Sequence, residues 1–179
     1  MGQCSCCDEL VRGGFDRRRF FQVAGIAGLA AGLPFKVWAA EGNYEAMLLS
    51  CIDPRMVTPV YGYMEDKRHL GGKYSQFVIA GAAIAVVAPK FASWRPAFWD
   101  NLATSIKLHH ITKVIAIDHR DCGAAKIAYG EDSIANPQIE TRTHRVVMAE
   151  FREAVARHYP QLAVETGLMA LDGSIEMFT

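Results

Sequence analysis

The chain has 179 residues, 51% of them hydrophobic and 21% charged, with 19 basic and 19 acidic side chains in balance. That length and composition suit a globular protein with a real core, and exclude wholesale disorder or a disulfide-dense scaffold. A net charge of zero argues against nucleic acid as a partner, because duplex binding draws on clustered Lys and Arg.

Residues 1–40 read as an export leader. Arg17, Arg18 and Arg19 precede an apolar run from Phe20 to Leu33 that is rich in Gly and Ala, and Pro34 and the small residues Ala39 and Ala40 follow. A basic segment, a short apolar segment and a small-residue cleavage site make a signal peptide, and Asp16-Arg17-Arg18-Arg19-Phe20-Phe21-Gln22 resembles the twin-arginine export motif. An uncleaved membrane anchor is the other reading, but a span needs roughly 20 strongly apolar residues. Cleavage is expected after Ala39 or Ala40. It leaves one domain at 41–179, slightly acidic, in the periplasm or outside the cell, with membrane contact only during export. Cys4, Cys6 and Cys7 leave with the leader, so only Cys51 and Cys122 stay.

The remaining chain predicts alternating strands and helices. Ala46–Ser50 is an apolar run of strand length, and 76–80 is a second. Residues 113–118 form the clearest strand, apolar and β-branched, as expected for one buried on both faces. A fourth strand is expected over 167–171, and the Asp172-Gly173 turn leads to a last strand at 174–178 as a hairpin. Between them, 96–110 carries Phe98, Leu102, Ile106 and Leu108 at near-helical spacing. Asn136-Pro137 reads as a cap with proline at the first helical position, starting a helix to about Tyr159 with Val147, Phe151 and Val155 on one face. The alternation implies an α/β fold, a mainly parallel central sheet flanked by helices.

Two polar segments follow strands directly. Cys51-Ile52-Asp53-Pro54-Arg55 comes after the first strand, and His119-Arg120-Asp121-Cys122-Gly123 after the strongest one. Ligands of open α/β sheets bind outside the carboxyl ends of strands, so both segments fall where a site is expected. Two thiolates and an imidazole fill three positions of tetrahedral zinc and leave one for water, the catalytic pattern.

With C-x-D-x-R and H-x-x-C-G in matching places, the chain resembles the β-class carbonic anhydrases over roughly residues 45–178. The stretches Asn101–Ile106, Val114–Ala124 and Leu171–Ile175 resemble the family's text as well. The resemblance implies Cys51, His119 and Cys122 as zinc ligands, with Asp53 and Arg55 as the catalytic pair beside the metal. Asp53 would either accept a hydrogen bond from zinc-bound water or take the fourth zinc position at rest, and Arg55 would hold it off the metal. The implied reaction is reversible hydration of carbon dioxide to bicarbonate, with zinc lowering the pKa of water toward 7 so that zinc hydroxide is the nucleophile. A homodimer or multiple of dimers is implied too. The chain departs from the family at 79–83, where Ile79-Ala80-Gly81-Ala82-Ala83 replaces a polar stretch, and at Pro54, which stiffens the first motif. Hydrolysis of carbonyl sulfide or carbon disulfide on the same ligands, and zinc binding without catalysis, are the alternative functions.

Several residues carry a second reading. Cys51 and Cys122 could pair as a disulfide after export, His119 could be a core histidine, and Asp53–Arg55 could be a surface ion pair. His109 and His110 read as surface residues complementing a helix end. Trp94, Phe98 and Trp99 read as core or subunit contacts, and Glu65-Asp66-Lys67-Arg68 as a solvated loop. Asp121 stands open between a role beside the metal and plain solvation.

Overall fold

The computed structural model describes residues 42–179. The leader read at 1–40, its cleavage site and Cys4, Cys6 and Cys7 lie outside the described residues. Among the described residues, no helix is long and apolar enough to cross a membrane.

Five strands form one sheet: β1 (Ala46–Ser50), β2 (Tyr74–Val78), β3 (Lys113–His119), β4 (Ala163–Met169) and β5 (Ile175–Phe178), in the order β2-β1-β3-β4-β5. The first four are parallel and β5 runs antiparallel to β4. The α/β reading is correct. β1 is buried throughout, and β3 is buried from its second residue on. Side chains alternate between faces along a strand, so Met47, Leu49, Val114 and Ala116 join one core and Ala46, Leu48, Ile115 and Ile117 the other.

The larger core lies under α2 (Ala83–Val87), α3 (Arg95–His109), α4 (Gly123–Tyr129) and α5 (Pro137–His158), the smaller under α1 (Val57–Gly62) and the turn after it. Phe98 and Leu102 of α3 and Val147, Phe151 and Val155 of α5 are buried as their spacing predicts, whereas Leu108 is 39% exposed. Asn136 Oδ1 accepts the Ile139 N–H at 2.9 Å, so α5 is capped as expected, with Pro137 at its first position.

Two strands lie earlier than expected. The second occupies 74–78 rather than 76–80, because it is an edge strand that tolerates half-exposed Tyr74 and Ser75, while 79–82 must turn. The fourth occupies 163–169 rather than 167–171, because pairing with β3 starts at Ala163, opposite Lys113. In β4, apolarity marked only the buried end, whereas in β2 it marked Phe77 and Val78, of which Val78 is exposed. The 65–68 segment is also no loop: Tyr63–Lys67 prolongs α1 as a wider helical turn, and Arg68 pairs with Glu165 at 2.6 Å. His109 is half-buried, its ring edge-on to Tyr44 at 4.8 Å, and His110 ends α3 with φ 52°. The Asp172-Gly173 hairpin forms as read, with Gly173 at φ 86°.

Candidate metal centre

Register brings the two motifs together. Ser50 of β1 stands opposite Ile117 of β3, so Cys51 leaves its strand beside the last residues of β3. His119 ends β3, and the turn through Asp121 (φ 55°) returns Cys122 to the start of α4. One ligand atom from each of Cys51, His119 and Cys122 lies within 4.8 Å of the other two. Both cysteines are free thiols.

Each donor is held by the chain. The Gly81 N–H donates to Cys51 Sγ at 3.2 Å. His119 Nδ1 lies 2.8 Å from the Arg120 carbonyl, which fixes the proton on Nδ1 and leaves Nε2 to bind. Among the described residues that Nε2 is buried with no hydrogen-bond partner, on a residue only 1% exposed. A buried polar atom without a partner is costly. Its place between two sulfurs gives it an explanation that a core histidine would lack.

The electrostatics agree. The Cys122 S–H stabilises the Cys51 thiolate, which burial opposes and which His119 and the N–H groups of Gly81 and Asp53 support further, so the Cys51 thiol is pushed well down. Cys122 is pushed up by the Cys51 charge and by burial. Burial pulls His119 down, but the Cys51 sulfur and its charge nearby, with the Arg120 carbonyl, raise it overall. One sulfur ionises readily and the second needs positive charge beside it, which suits two thiolates and an imidazole on a divalent cation. These three residues fit zinc.

Asp53 and Arg55 stand beside the cluster. Asp53 Oδ2 lies 3.9 Å from His119 Nε2. Arg55 grips the carboxylate through Nε, Nη2 and its own backbone N–H, holding Asp53 down to about 2. Arg55 also reaches Asp121, with Nη1 2.9 Å from Oδ2 and Nη2 3.2 Å from the carbonyl. Asp121 is therefore tied to the centre through Arg55, while its side chain is 52% exposed. Its backbone N–H is taken by Glu140 Oε1 at 2.5 Å, and Lys126 Nζ lies 3.3 Å from its carboxylate. Glu140 is itself buried and bonded to Arg120 at 3.2 Å. Glu140 went unremarked in the sequence, since a helical Glu looks the same whether it faces water or a turn.

A pocket of about 350 Å³ opens at Cys51 and Asp53, walled by Ile52, Ala80, Phe91, Trp94, Ala124 and Ile127. Phe91 and Trp94 stack at 4.4 Å. Phe98 is core, Trp99 stacks on His158 at 4.0 Å, and Trp94 is a partly exposed wall of this pocket. The 79–83 stretch acts here through its backbone. Gly81 at φ 82° sits so close to α4 that a Cβ would meet Ala124 Cβ at 2.7 Å.

The chain takes the fold of the β-carbonic anhydrases. The solved β-carbonic anhydrase CafA of Aspergillus fumigatus matches it with a TM-score of 0.54 at 13% identity, over 90% of this chain and 88% of that one. The β-carbonic anhydrase CcaA matches with a TM-score of 0.53 at 12% identity, over 98% and 96%. In sequence, the chain belongs to a family with two uncharacterized proteins of Rickettsia. It is 31% identical to one from Rickettsia conorii over 130 residues, 73% of this chain and 69% of that protein. It is 32% identical to one from Rickettsia bellii over 130 residues, 73% and 79% of the two chains. No family model matches the chain.

Proposed function

We propose that the chain binds one zinc ion through Cys51 Sγ, His119 Nε2 and Cys122 Sγ, and catalyses the reversible hydration of carbon dioxide to bicarbonate. The observation that carries this reading is the juxtaposition of those three donors with an Arg55-held aspartate at the ends of adjacent parallel strands. The fold likeness to solved β-carbonic anhydrases supports it. Zinc, when bound, supplies a Lewis acid that lowers the pKa of water toward neutrality.

The chain's own residues supply the rest. Asp53, ionised above about pH 2, is an acceptor at all working pH values and orients the attacking water by taking one of its protons in a hydrogen bond. Arg55 keeps that carboxylate in place with a forked contact. Ile52, Phe91, Trp94 and Ile127 make an apolar approach suited to a small neutral substrate.

Stopped-flow hydration of carbon dioxide by the zinc-loaded chain near pH 8.5 tests the reading. Catalysis well above the buffer rate is expected. A flat trace from folded, zinc-replete protein would move the reading to a non-catalytic zinc protein or to sulfur substrates. The apolar lining favours the latter as a second reading: carbonyl sulfide and carbon disulfide are also small and weakly hydrated, and a sulfide-release assay separates them.

Two further parts of the proposal rest on other observations. A homodimer, or a multiple of dimers, would cover the exposed Ile52, Val57, Tyr61 and Val78 beside edge strand β2, and light scattering on the purified chain tests it. Twin-arginine export to the periplasm rests on the sequence at 1–40, and N-terminal sequencing of periplasmic protein tests it.

A further inference from the structure

Next to His119 lies a buried acid–base pair that hydration does not use. Asp118 points to the opposite face of β3 from His119, toward α5. Asp118 and His144 are 1% and 0% exposed. His144 Nδ1 donates to Asp118 Oδ2 at 2.8 Å, and Asp118 Oδ1 accepts the Ala83 N–H at 3.0 Å. His144 Nε2 has no partner among the described residues. Apolar side chains in these places would avoid both the desolvated charge and the unsatisfied nitrogen, so stability alone is a poor reason for the pair.

Ala83 ends a strained turn. Ala82 has φ 47° and ψ −111°, outside the regions open to a residue with a Cβ, and Gly81 before it has φ 82°. Such strain persists only where the surroundings over-determine it. Here the turn is pinned at both ends: Gly81 N–H to Cys51 Sγ at 3.2 Å, and Ala83 N–H to Asp118.

We propose that Asp118 and His144 are positioning residues of the metal centre, clamping the Gly81–Ala83 turn so that the Gly81 N–H stays on the Cys51 sulfur. A hydrogen bond to a ligating thiolate withdraws electron density from it and fixes its direction, so the clamp tunes how Cys51 binds the metal. The inference rests on the metal reading of Cys51, His119 and Cys122.

The test compares His144→Leu and His144→Gln with Val147→Ala, a core truncation on the same helix without a polar link, all in the full chain. Three quantities are read: zinc affinity by chelator competition, the thiolate-to-metal charge-transfer band of the cobalt-loaded protein, and amide exchange at Gly81 and Ala83. His144→Leu should weaken zinc about tenfold, shift the band and speed exchange at both amides. Val147→Ala should lower the melting temperature and leave all three in place, and His144→Gln, which can still donate to Asp118, should recover most of the affinity. If His144→Leu does not fold, Asp118→Asn carries the same comparison, keeping an acceptor for Ala83 and losing the charge. Equal behaviour of the His144 and Val147 variants, or an unshifted band, overturns the proposal. Failure of the unaltered chain to bind zinc overturns the metal reading itself, and amide exchange in His144→Leu then reports on the clamp separately.

Discussion

Arg55 reaches back two residues to clasp Asp53, with Nη2 2.6 Å from Oδ2 and Nε 3.0 Å from Oδ1. The clasp is made within one short turn, since Asp53 also caps the 3-10 helix Pro54–Met56 by accepting the Arg55 N–H. Pro54 stiffens the intervening peptide, so the carboxylate is held by side chain and backbone at once. An orienting group held this way should matter to turnover far more than to folding.

Asp53→Ala should therefore lower carbon dioxide hydration by about 10²-fold or more, in the range of a lost general-base or orienting group. Arg55→Ala should lower it by a similar factor, since Asp53 then loses its anchor. Asp121→Asn, which removes charge from only one Arg55 contact, should cost less than tenfold. Stopped-flow rates read these effects, and zinc content by elemental analysis should be unchanged in all three variants.

One zinc per chain is expected, and Cys51→Ser, His119→Ala or Cys122→Ser should each abolish tight binding. Zinc at 100 times its dissociation constant should add about 2.7 kcal/mol of stability, because it binds the folded chain and not a preformed site in the unfolded one. A thermal melt before and after chelation measures that difference.

Gly81→Ala should destabilise the fold by about 2–3 kcal/mol, since the added Cβ is strained at positive φ and meets Ala124. Gly130 is the control. It has φ 88° and ψ 165° but nothing within 4 Å of a built Cβ, so Gly130→Ala should cost the backbone share alone, about 1–3 kcal/mol. Urea unfolding reads both, and Gly81→Ala alone should also weaken zinc.

Far from the centre, Glu165 joins Arg68 at 2.6 Å and Lys113 at 3.3 Å. Burial alone would raise the Glu165 carboxyl, but the two cations hold it below its ordinary 4.5. A depressed carboxyl stabilises the fold above its unfolded value and loses that contribution as the pH falls through the folded one. Glu165→Gln should thus cost about 1 kcal/mol at pH 7, a modest figure because water reaches the pair. The gap from the unaltered chain should close as the pH is taken below 4.5. Urea titrations across that range would show it.

Much of the site could be read because its motifs are local. Cys51 and His119 each sit where an apolar strand run gives way to polar residues, and parallel pairing of neighbouring strands sets such ends side by side. Asp53 and Arg55 are two residues apart, so their contact needs nothing but a turn. Strand limits were less legible: Tyr74 and Ser75 of β2 look like loop, and Glu165 and Thr166 of β4 interrupt the apolarity that marked Leu168 and Met169.

The sequence by itself determined the α/β alternation, the capped helix from Asn136 and the two segments that carry the candidate metal ligands, because periodicity, caps and short motifs act over a few residues. Only the tertiary structure decided what those segments lean on. Asp121 meets Arg55 across 66 positions, Gly81 meets Cys51 across 30, and His144 meets Asp118 across 26. Such pairs form when the sheet register and the packing of α5 bring distant backbone together. A buried Asp or His carries no mark in the sequence of the partner that packing will give it.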